Sequence, residues 1–275
     1  MIVKTPANTA LDVNSIRGYL SDSSSELVAG LEVHKRVVST NDTVLARAEQ
    51  KNFACIANQQ TGGKGRNGSV WESPANANIY MSLGYCFKQF PVQALNGLSL
   101  ASGVCVARVL EGMGVRAQLK WPNDILLEYR KLAGILIETR IRSGGVYAVI
   151  GLGMNIDMAK VAGSKINQPW TDLCSALPAL AGFEQRNKLA AQLLDALFGC
   201  CIEYHRSGFT SFVHDWHRFD VLSSRQVIVK TQQSERCAKV AGISEDFGLK
   251  VEINGVQEVV YAADVKLKLD DDADD

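Results

Sequence analysis

The order of helical and strand-like segments is the feature that most constrains how this chain folds. Apolar residues recur at helical spacing over residues 94–112 and 186–205, which predicts two long helices. Between them, residues 118–121, 131–141 and 146–156 have the composition of strands, with a Ser-Gly-Gly turn closing the last two as a hairpin. Because strands follow one another here without an intervening helix, strict strand–helix alternation is absent and the main domain is predicted to be α+β.

Shorter elements are predicted on either side of this region. They are a helix over residues 11–20, strands over 31–38, 53–57 and 78–87, and a helix over 43–50 that follows N-cap chemistry at 39–42. After residue 220 the pattern changes to short alternating stretches, with a strong hairpin signal at Asn254 and Gly255. We therefore expect a polar N-terminal segment (1–30), a main domain (31–219), a small barrel-like all-β domain (220–268) and an acidic tail (269–275).

The balance of charge argues against a dedicated nucleic-acid-binding protein. The chain has 29 Lys and Arg residues against 29 Asp and Glu residues. Five of these acids lie in the last six positions, so the rest of the chain carries a surplus of five positive charges. Nucleic-acid-binding domains usually show a much larger basic excess or a basic patch. The acidic tail is expected to be a solvated, disordered end rather than a docking element.

Neither a membrane span nor a secretion signal is expected. No apolar run reaches the roughly 18 residues that crossing a bilayer requires, and the first 20 residues lack the apolar core of a signal peptide. The seven cysteines are odd in number and form no C-x-x-C pair, which disfavours a disulfide framework and a zinc site. A cytoplasmic protein is therefore expected.

A glycine-rich loop at residues 63–68 is the first candidate for chemistry. It matches the G-x-G-x-x-G pattern of dinucleotide-binding loops, but the segment Ser-Val-Trp-Glu-Ser-Pro and another strand follow it. No helix N-terminus is therefore predicted there to hold a pyrophosphate group. The glycines still let backbone N–H groups approach an anion, and Lys64 and Arg66 add positive charge. A mobile hairpin loop with two solvated cations is the alternative.

Two clusters at the ends of predicted strands are further candidates. Lys120 leads into Trp-Pro-Asn-Asp, and the segment Gly-Leu-Gly-Met-Asn at residues 151–155 ends another strand. Glycines inside a strand often mark the close approach of a ligand, although a bulge is the alternative. A lysine in the position of Lys120 commonly faces solvent. Asp124 is interpreted as an N-cap or turn residue, with a magnesium-linked role as the alternative.

Taken together, these motifs resemble those of biotin–protein ligases. They are S-T-N at residues 39–41, Q-T-G-G-K-G-R-N-G at 60–68, Trp71, S-P at 73–74, K-W-P-N-D at 120–124, R-K-L-A-G at 130–134 and G-L-G-M-N at 151–155. Each motif alone is weak, but K-W-P-N-D combined with R-K-L-A-G is highly specific. The resemblance covers residues 31–265, in the order found in that family.

The resemblance implies a fold, a reaction and partners. The fold would be α+β, with a catalytic domain like that of class II aminoacyl-tRNA synthetases and biotin/lipoyl ligases, a mixed sheet flanked by helices, and a small C-terminal SH3-like barrel. The reaction would use biotin and ATP, with Mg²⁺, to form biotinyl-5′-AMP and would then transfer biotin to a lysine of a biotin carboxyl carrier protein. No nucleic-acid or membrane partner is implied, and a homodimer is allowed.

The resemblance also implies which side chains act. Biotin would be bound by Ser39, Thr40, Asn41, Gln60, Lys64, Gly65, Arg66 and Lys120. ATP and the adenylate would be bound by Lys64, Arg66, Trp71, Asn123, Asn155 and Trp170. Lys120 and Arg66 would be catalytic, and no metal site is expected. The loop departs from the family because Lys64, Asn67 and Ser69 stand where arginine is common, and lysine lacks the bidentate phosphate geometry that would help to retain the adenylate.

Three rival functions are weighed against this one. A bifunctional biotin ligase and repressor would carry an N-terminal winged helix-turn-helix domain, for which the 38 residues before Ser39 are too few, so no DNA binding is expected. A lipoate or octanoate ligase or transferase of the same fold would carry a glycine-rich signature containing histidine, which does not occur here. A catalytically inactive biotin-binding module is disfavoured because Lys120 and Arg66 are present.

Overall fold

The computed structural model describes most of the chain, over residues 10–48, 52–158, 166, 168–230, 235–261 and 264–267. The acidic tail expected at residues 269–275 lies outside the described residues. The helices are α1 Val13–Tyr19, α2 Asp22–Leu27, α3 Thr40–Leu45, α4 Leu98–Gly112, α5 Phe183–Ser207 and α6 Val213–Phe219. The strands are β1 Gly30–His34, β2 Phe53–Ala57, β3 Asn78–Lys88, β4 Gln118–Lys120, β5 Asp124–Leu127, β6 Arg130–Arg142, β7 Gly145–Asn155, β8 Gln226–Lys230, β9 Glu235–Ile243, β10 Leu249–Ile253, β11 Val256–Val260 and β12 Asp264–Leu267.

A seven-stranded mixed sheet forms the centre of the main domain. Its strand order is β1-β2-β3-β7-β6-β5-β4, in which β1 and β2 are parallel and all other neighbours are antiparallel. Helices α4 and α5 pack together on one face, and α3 covers part of the other face. The prediction of an α+β fold with a mixed sheet flanked by helices is therefore confirmed.

Helix α4 is the central helix of this core. Ten of its fifteen residues are buried, because apolar and small side chains occupy almost every side of the helix. The segment Val92–Gly112 is long and apolar enough to cross a membrane by length and composition, but more than half of it is buried between the sheet and α5. Its composition is therefore accounted for by its place inside the protein.

A second sheet follows the main domain. It has five antiparallel strands in the order β11-β10-β9-β8-β12. Asn254 and Gly255 have φ angles of 52° and 80°, as the predicted hairpin turn between β10 and β11 requires. Strands β11 and β12 lie at opposite edges of this sheet. A closed barrel would require these two edges to meet, so the barrel stays a prediction.

The second sheet is attached to the main domain beside the K-W-P-N-D segment. The indole nitrogen of Trp121 donates to the carbonyl oxygen of Phe247 at 2.9 Å, and the ring of Phe247 lies over Gly97 at the start of α4. The backbone N–H of Val221 donates to the carbonyl oxygen of Leu119 at 2.9 Å. Trp121 is buried, as expected for a core residue. These contacts fix the turn that follows Lys120.

Several boundaries differ from the sequence-based expectation for local reasons. The helix predicted over residues 43–50 begins earlier, at Thr40, because the hydroxyl of Ser39 accepts from the backbone N–H of Asp42 and caps it. The helix predicted over residues 94–112 is divided into a 3₁₀ turn, Val92–Leu95, and α4. Helices α2 and α6 and strands β5 and β12 were not predicted.

Candidate active site

A cavity of about 900 Å³ opens between the seven-stranded sheet, the glycine-rich loop and strand β12 of the second sheet. Among the predicted site residues, its lining includes Ser39, Thr40, Asn41, Gln60, Lys64, Gly65, Arg66, Trp71, Lys120 and Asn123. Residues from five separate parts of the chain therefore converge on one space. Asn155 and Trp170 are not in the lining.

At one end of the cavity, Thr40, Asn41 and Gln60 belong to an uncharged hydrogen-bonding network. The network also includes Ser73 and Ser82, which lie outside the lining, and we call these five residues the polar nest. Gln60 Oε1 accepts from the backbone N–H of Thr40 at 2.9 Å and from its hydroxyl at 3.1 Å. Gln60 Nε2 donates to Ser73 Oγ at 3.1 Å. The Ser82 hydroxyl lies 2.7 Å from Thr40 Oγ1 and 2.6 Å from Asn41 Oδ1, and its single proton can serve one of them.

Asn41 is held at the junction between α3 and the sheet. Its Nδ2 donates to Glu138 Oε2 on β6 at 2.6 Å. A β-carbon at position 151 would lie only 2.2 Å from Asn41 Oδ1, so the Asn41 side chain fits only because residue 151 is glycine. The first glycine of G-L-G-M-N therefore makes room for a polar side chain of the nest.

The glycine-rich loop folds back on itself as a hairpin beside this nest. Lys64 and Val70 form a β-bridge, and the N–H of Gly65 donates to Ser69 at 2.7 Å. The turn is made by a short 3₁₀ segment, Arg66–Gly68, in which Asn67 and Gly68 have φ angles of 53° and 76°. As a result, the loop lines the cavity from Lys64 to Trp71.

Lys64 is tied to the start of α3. Its Nζ lies 2.5 Å from Asp42 Oδ1, and both side chains are nearly half exposed. This hydrogen bond raises the pKa of the Lys64 ammonium, so the group is charged at neutral pH. The contact connects the loop to the helix whose first turn carries Thr40 and Asn41.

Trp71 supplies the aromatic surface of the cavity. Its indole lies against the backbone of Gly134 on β6 and Gly153 on β7. The indole nitrogen is buried and has no hydrogen-bond partner among the described residues. Lys131 Nζ lies 5.4 Å from the ring centroid, within the range of a cation–π contact. Glycine at position 153 is therefore needed for the ring to lie on the sheet, and glycine at position 134 leaves room for its outer edge.

Lys120 ends β4 and faces the cavity across a tight turn. Its Nζ lies 3.7 Å from Asp124 Oδ2, and the Lys120 side chain is 19% exposed. The turn between them contains a cis Trp121–Pro122 bond. Asn123 Nδ2 donates to the carbonyl oxygen of Ile135 at 2.7 Å, which pins this turn to β6. The amide of Asn123 is thus used at least in part to hold the turn in place.

Lys131 is a site residue that the sequence reasoning missed, and Asp124, interpreted there as an N-cap or turn residue, is its partner in the cavity. Asp124 is the first residue of β5, and its Oδ1 lies 2.7 Å from Lys131 Nζ. Both side chains line the cavity. The R-K-L-A-G motif pointed to this segment, but nothing in its spacing indicated that Lys131 faces the same space as Lys120.

Asn155 and Trp170 lie behind Lys131. Asn155 Nδ2 donates to the carbonyl oxygens of Thr171 at 3.0 Å and of Lys131 at 3.4 Å. Trp170 forms a parallel β-bridge with Lys131 and is half-buried. Asn155 therefore contacts the backbone of Lys131 and Thr171, and Trp170 pairs with Lys131. Neither residue is in the cavity lining.

The arrangement suits a ligand that is polar and uncharged at one end and anionic further along. The nest offers neutral amide and hydroxyl groups. Beyond it, the described part of the lining holds four cationic side chains, Lys64, Arg66, Lys120 and Lys131, and one carboxylate, Asp124. A site with this charge surplus favours carboxylate or phosphate groups, and Trp71 offers a planar surface to a ring.

Sequence comparisons agree with this chemistry. Residues 33–155 match the biotin/lipoate A/B protein ligase family. The chain is 34% identical to the bifunctional ligase/repressor BirA of Escherichia coli (strain K12), over 94% of this chain and 78% of that protein. It is 32% identical to the biotin–[acetyl-CoA-carboxylase] ligase of Mycobacterium tuberculosis, over 93% of this chain and 95% of that protein.

Solved structures have the same fold. The biotin protein ligase of Aquifex aeolicus in complex with biotin and ATP superposes with a TM-score of 0.69 at 20% identity, covering 87% of this chain and 99% of that chain. The biotin protein ligase of Leishmania major in complex with biotinyl-5-AMP gives a TM-score of 0.58 at 27% identity, covering 85% and 99%. The alignments cover more than nine tenths of this chain and at least 78% of each of these two relatives, and the chain belongs to the biotin–protein ligase family.

Proposed function

We propose that this protein is an ATP-dependent biotin–protein ligase, which activates biotin as biotinyl-5′-AMP and transfers it to a lysine of a biotin carboxyl carrier protein. The observation that carries this proposal is the pairing, in one cavity, of an uncharged polar nest with a cluster of cations around Lys120. Family membership supports the same activity.

The nest is the proposed site of the biotin ring system. The ureido group of biotin is neutral, with two N–H donors and one carbonyl acceptor. Thr40, Asn41 and Gln60, together with Ser39 at the start of α3, present hydroxyl and amide groups of both kinds. Ser39, Thr40 and Asn41 are buried, and Gln60 is half-buried and bonded to Thr40, so little ordering is left for binding.

Lys120 is the proposed catalytic cation of the first step. An oxygen of the biotin carboxylate forms a bond to the α-phosphorus of ATP, while the bond from that phosphorus to the bridging oxygen breaks and releases pyrophosphate. The two reacting anions repel each other, so a fixed ammonium between them lowers the barrier. The side chain of Lys120 is mostly buried at the cavity wall, where such an interaction is stronger than in water.

The nucleotide is proposed to lie along the loop and Trp71. Lys64, Gly65 and Arg66 offer two cations and a backbone N–H-rich turn to the acyl phosphate, and the indole of Trp71 offers a face to the adenine. Asn123, Asn155 and Trp170 are proposed to support this subsite through the strands that they hold.

Mg²⁺ is proposed to enter with ATP as part of the substrate. Within the described residues, no group of three or more His, Cys, Asp or Glu side chains is placed to hold a metal ion. Asp124, the carboxylate in the cavity lining, is paired with Lys131. Mg²⁺ commonly binds through substrate phosphates with few protein carboxylates, which fits this lining.

In the second step the amine of the carrier lysine attacks the acyl carbon of the adenylate. The new bond is the amide, the acyl–phosphate bond breaks, AMP leaves with the electron pair, and the amine proton goes to solvent. Charge again develops on the departing phosphate beside Lys120, so the same ammonium is proposed to act in both steps.

We also propose a division of the chain into two domains. Residues 31–219 would form the catalytic domain with a class II synthetase-like fold, and residues 220–268 an SH3-like barrel built on the five-stranded sheet. The protein would work in the cytoplasm and could form a homodimer.

The proposed function is tested by mixing the protein with biotin, MgATP and, in a second reaction, a biotin carboxyl carrier domain. Mass spectrometry should detect biotinyl-5′-AMP in the first reaction and a biotinylated lysine in the second. Parallel reactions with lipoate and octanoate test the alternative acyl substrates. Formation of lipoyl- or octanoyl-AMP in place of biotinyl-5′-AMP, or of no adenylate at all, would overturn the proposal.

A further inference from the structure

We propose that Glu138 is a positioning residue, which fixes the direction of the hydrogen bonds in the polar nest and so makes Thr40 present an acceptor to the ligand. This inference rests on the proposed function, because it names the feature of biotin that the nest selects, a ureido N–H donor. Glu138 itself is not in the lining of the main cavity, and it acts through Asn41 and Ser82.

Asn41 bridges two strands of the sheet across a glycine. Ser82 on β3 pairs with Gly151 on β7, and Gly151 pairs with Leu136 on β6. Direct cross-strand partners share a face, and Glu138, two residues after Leu136, lies on that face as well. Because Gly151 has no side chain, the amide of Asn41 can lie above it. Its Oδ1 is 2.6 Å from Ser82 Oγ, and its Nδ2 is 2.6 Å from Glu138 Oε2.

The carboxylate of Glu138 allows only one orientation of this amide. An ionised carboxylate accepts hydrogen bonds and donates none. If the amide were turned over, Asn41 Oδ1 would face Glu138 Oε2 at about the same short distance, and two acceptors would be in contact without a proton between them. A carboxylate at position 138 therefore keeps Nδ2 on its own side and Oδ1 toward Ser82.

Four oxygen atoms in a row then share too few protons. They are Gln60 Oε1, Thr40 Oγ1, Ser82 Oγ and Asn41 Oδ1, with neighbouring separations of 3.1, 2.7 and 2.6 Å. Gln60 Oε1 is fixed in the row because it also accepts from the backbone N–H of Thr40. The two amide oxygens at the ends only accept, and each hydroxyl between them has one proton. Three contacts therefore share two protons.

A row that is one proton short favours a ligand that brings a proton. Thr40 lines the main cavity, and its hydroxyl proton cannot turn to a ligand without leaving two of the three contacts without protons. The Thr40 oxygen still has a lone pair with which to accept from a ligand N–H. The ureido group of biotin carries two such donors, so the nest selects an N–H over an oxygen atom at this position.

The bond between Asn41 and Glu138 joins the main cavity to a second one. Asn41 lines the main cavity, whereas Glu138 lines a cavity of about 650 Å³ together with Leu136 and the glycine-rich loop. Glu138 is only half-buried there, so its carboxylate keeps contact with solvent, which favours the charged form. The charge that orients the nest is thus held outside the space that the ligand fills.

The test measures the binding of biotin and of two cyclic carbamate analogues, in each of which one ureido N–H is replaced by an oxygen atom. Calorimetric titration gives the Kd of each compound, and the Kd of the weaker carbamate divided by that of biotin is the selectivity. The variants are Glu138→Gln, Ser82→Ala and the two combined. Glu252→Gln, at an exposed position on β10 of the second sheet, is the matched control.

We expect a selectivity of about 10²-fold in the wild type and in Glu252→Gln, because the carbamate oxygen would face a lone pair of Thr40. In Glu138→Gln the Asn41 amide can turn over and donate to Ser82. This supplies the missing proton and frees the Thr40 hydroxyl to donate to a ligand oxygen, so the selectivity should fall below about 10-fold. A merely structural role would weaken all three compounds by the same factor and leave the selectivity unchanged.

Ser82→Ala cuts the row between Asn41 and Thr40. It should lower the selectivity as Glu138→Gln does, and combining the two substitutions should lower it no further, because Glu138 acts only through Ser82. A selectivity near one in the wild type, an unchanged selectivity in Glu138→Gln, or losses that multiply in the double variant would overturn the proposal.

Failure of the proposed function gives a different result, since the wild type would then bind neither biotin nor the carbamates. In that case the orientation of the amide is decided without a ligand, by NMR of protein labelled with ¹⁵N at asparagine. In the wild type the Nδ2 protons of Asn41 should show stronger Overhauser contacts to Glu138 than to Ser82, and in Glu138→Gln the two should become similar. Stronger contacts to Ser82 in the wild type would overturn the proposal.

Discussion

Gly153 and Trp71 touch so closely that no larger residue fits at position 153. A β-carbon there would lie 2.5 Å from both Cε2 and Nε1 of the indole. The same ring approaches Gly134, where a β-carbon would lie 3.1 Å from Cζ3. The two glycine-containing motifs of β6 and β7 thus form the surface on which an aromatic residue of the cavity lies.

We predict that Gly153→Ala displaces the Trp71 ring and weakens nucleotide binding. The added methyl group must push the indole away, since the rest of β7 is paired on both sides and cannot move easily. The KM for ATP should rise about 10-fold, equivalent to roughly 1.4 kcal/mol, while the KM for biotin changes little. Steady-state kinetics with each substrate varied in turn provides the measurement.

Gly199→Ala is the matched control for that substitution. Gly199 lies at an exposed position inside α5, and a β-carbon there would meet no atom within 4 Å. Alanine should leave both KM values unchanged and raise the free energy of unfolding by about 0.5–1 kcal/mol. A KM for ATP in Gly153→Ala equal to that in Gly199→Ala would contradict the role given to Trp71.

Thr40→Val tests the polar nest with little disturbance of the fold. Valine keeps the shape of threonine, Gln60 Oε1 keeps the backbone N–H of residue 40, and the Ser82 hydroxyl keeps Asn41 Oδ1 as an acceptor. Biotin then loses one hydrogen-bonding group. The Kd for biotin, measured by calorimetry, should rise about 3- to 10-fold, as expected for one neutral hydrogen bond.

The same change at Thr210, an exposed residue in the 3₁₀ segment Thr210–Phe212 that follows α5, should leave the Kd for biotin at the wild-type value. If Thr40→Val also binds biotin as the wild type does, while melting at the same temperature, then the nest is not the biotin site.

The sequence could predict the parts of this site that depend on local chemistry. The Ser39 cap, the glycine-rich loop and the strand that ends at Lys120 follow from residue type and spacing over a few positions. The short strands after residue 220 and the hairpin turn at Asn254 and Gly255 were predicted for the same reason: alternation and turn residues are local signals.

The parts that could not be predicted depend on contacts between distant segments. Lys131 faces the cavity only because a bulge shifts β6 by one residue, and alternation along the chain gives no sign of that shift. Glu138 enters the site through a hydrogen bond to Asn41, which is 97 residues earlier. Asn155 belongs to the G-L-G-M-N motif and was expected to bind the nucleotide. Its side-chain amide instead donates to the backbone carbonyl oxygens of Lys131 and Thr171.

The stability of the protein should depend on pH through Asp215. Arg108 Nε lies 2.6 Å from Asp215 Oδ2 and Arg218 Nε lies 3.2 Å from Oδ1, which joins α6 to α4. The hydrogen bond from Arg108 lowers the pKa of Asp215 from 3.8 to about 2. A carboxyl group whose pKa is lower in the folded than in the unfolded protein stabilises the fold above the unfolded pKa, and that stabilisation is lost as the pH falls toward the folded pKa.

We therefore expect Asp215→Asn to lower the free energy of unfolding by about 1 kcal/mol at pH 7, because solvent around the exposed Arg108 and Arg218 screens the interaction. The difference from the wild type should shrink between pH 4 and pH 2. Urea unfolding at a series of pH values is the measurement. Glu235→Gln removes an exposed partner of Lys230 and should cost less than about 0.5 kcal/mol at any pH. If Asp215→Asn lowers the free energy of unfolding by the same amount at pH 7 and at pH 2.5, the ion pair is not the source of the effect.

The most direct test of the whole account is the effect of Lys120→Gln on both half-reactions. Glutamine keeps much of the length of lysine and removes the charge, so the variant should fold as the wild type does. We predict that single-turnover formation of biotinyl-5′-AMP falls about 10²- to 10³-fold, the usual effect of losing one oriented charge at a reacting centre. Transfer from synthetic biotinyl-5′-AMP to a carrier lysine should fall as well. Adenylate formation near the wild-type rate in a folded Lys120→Gln protein would contradict the account, because the ammonium group of Lys120 would then have no part in the first step.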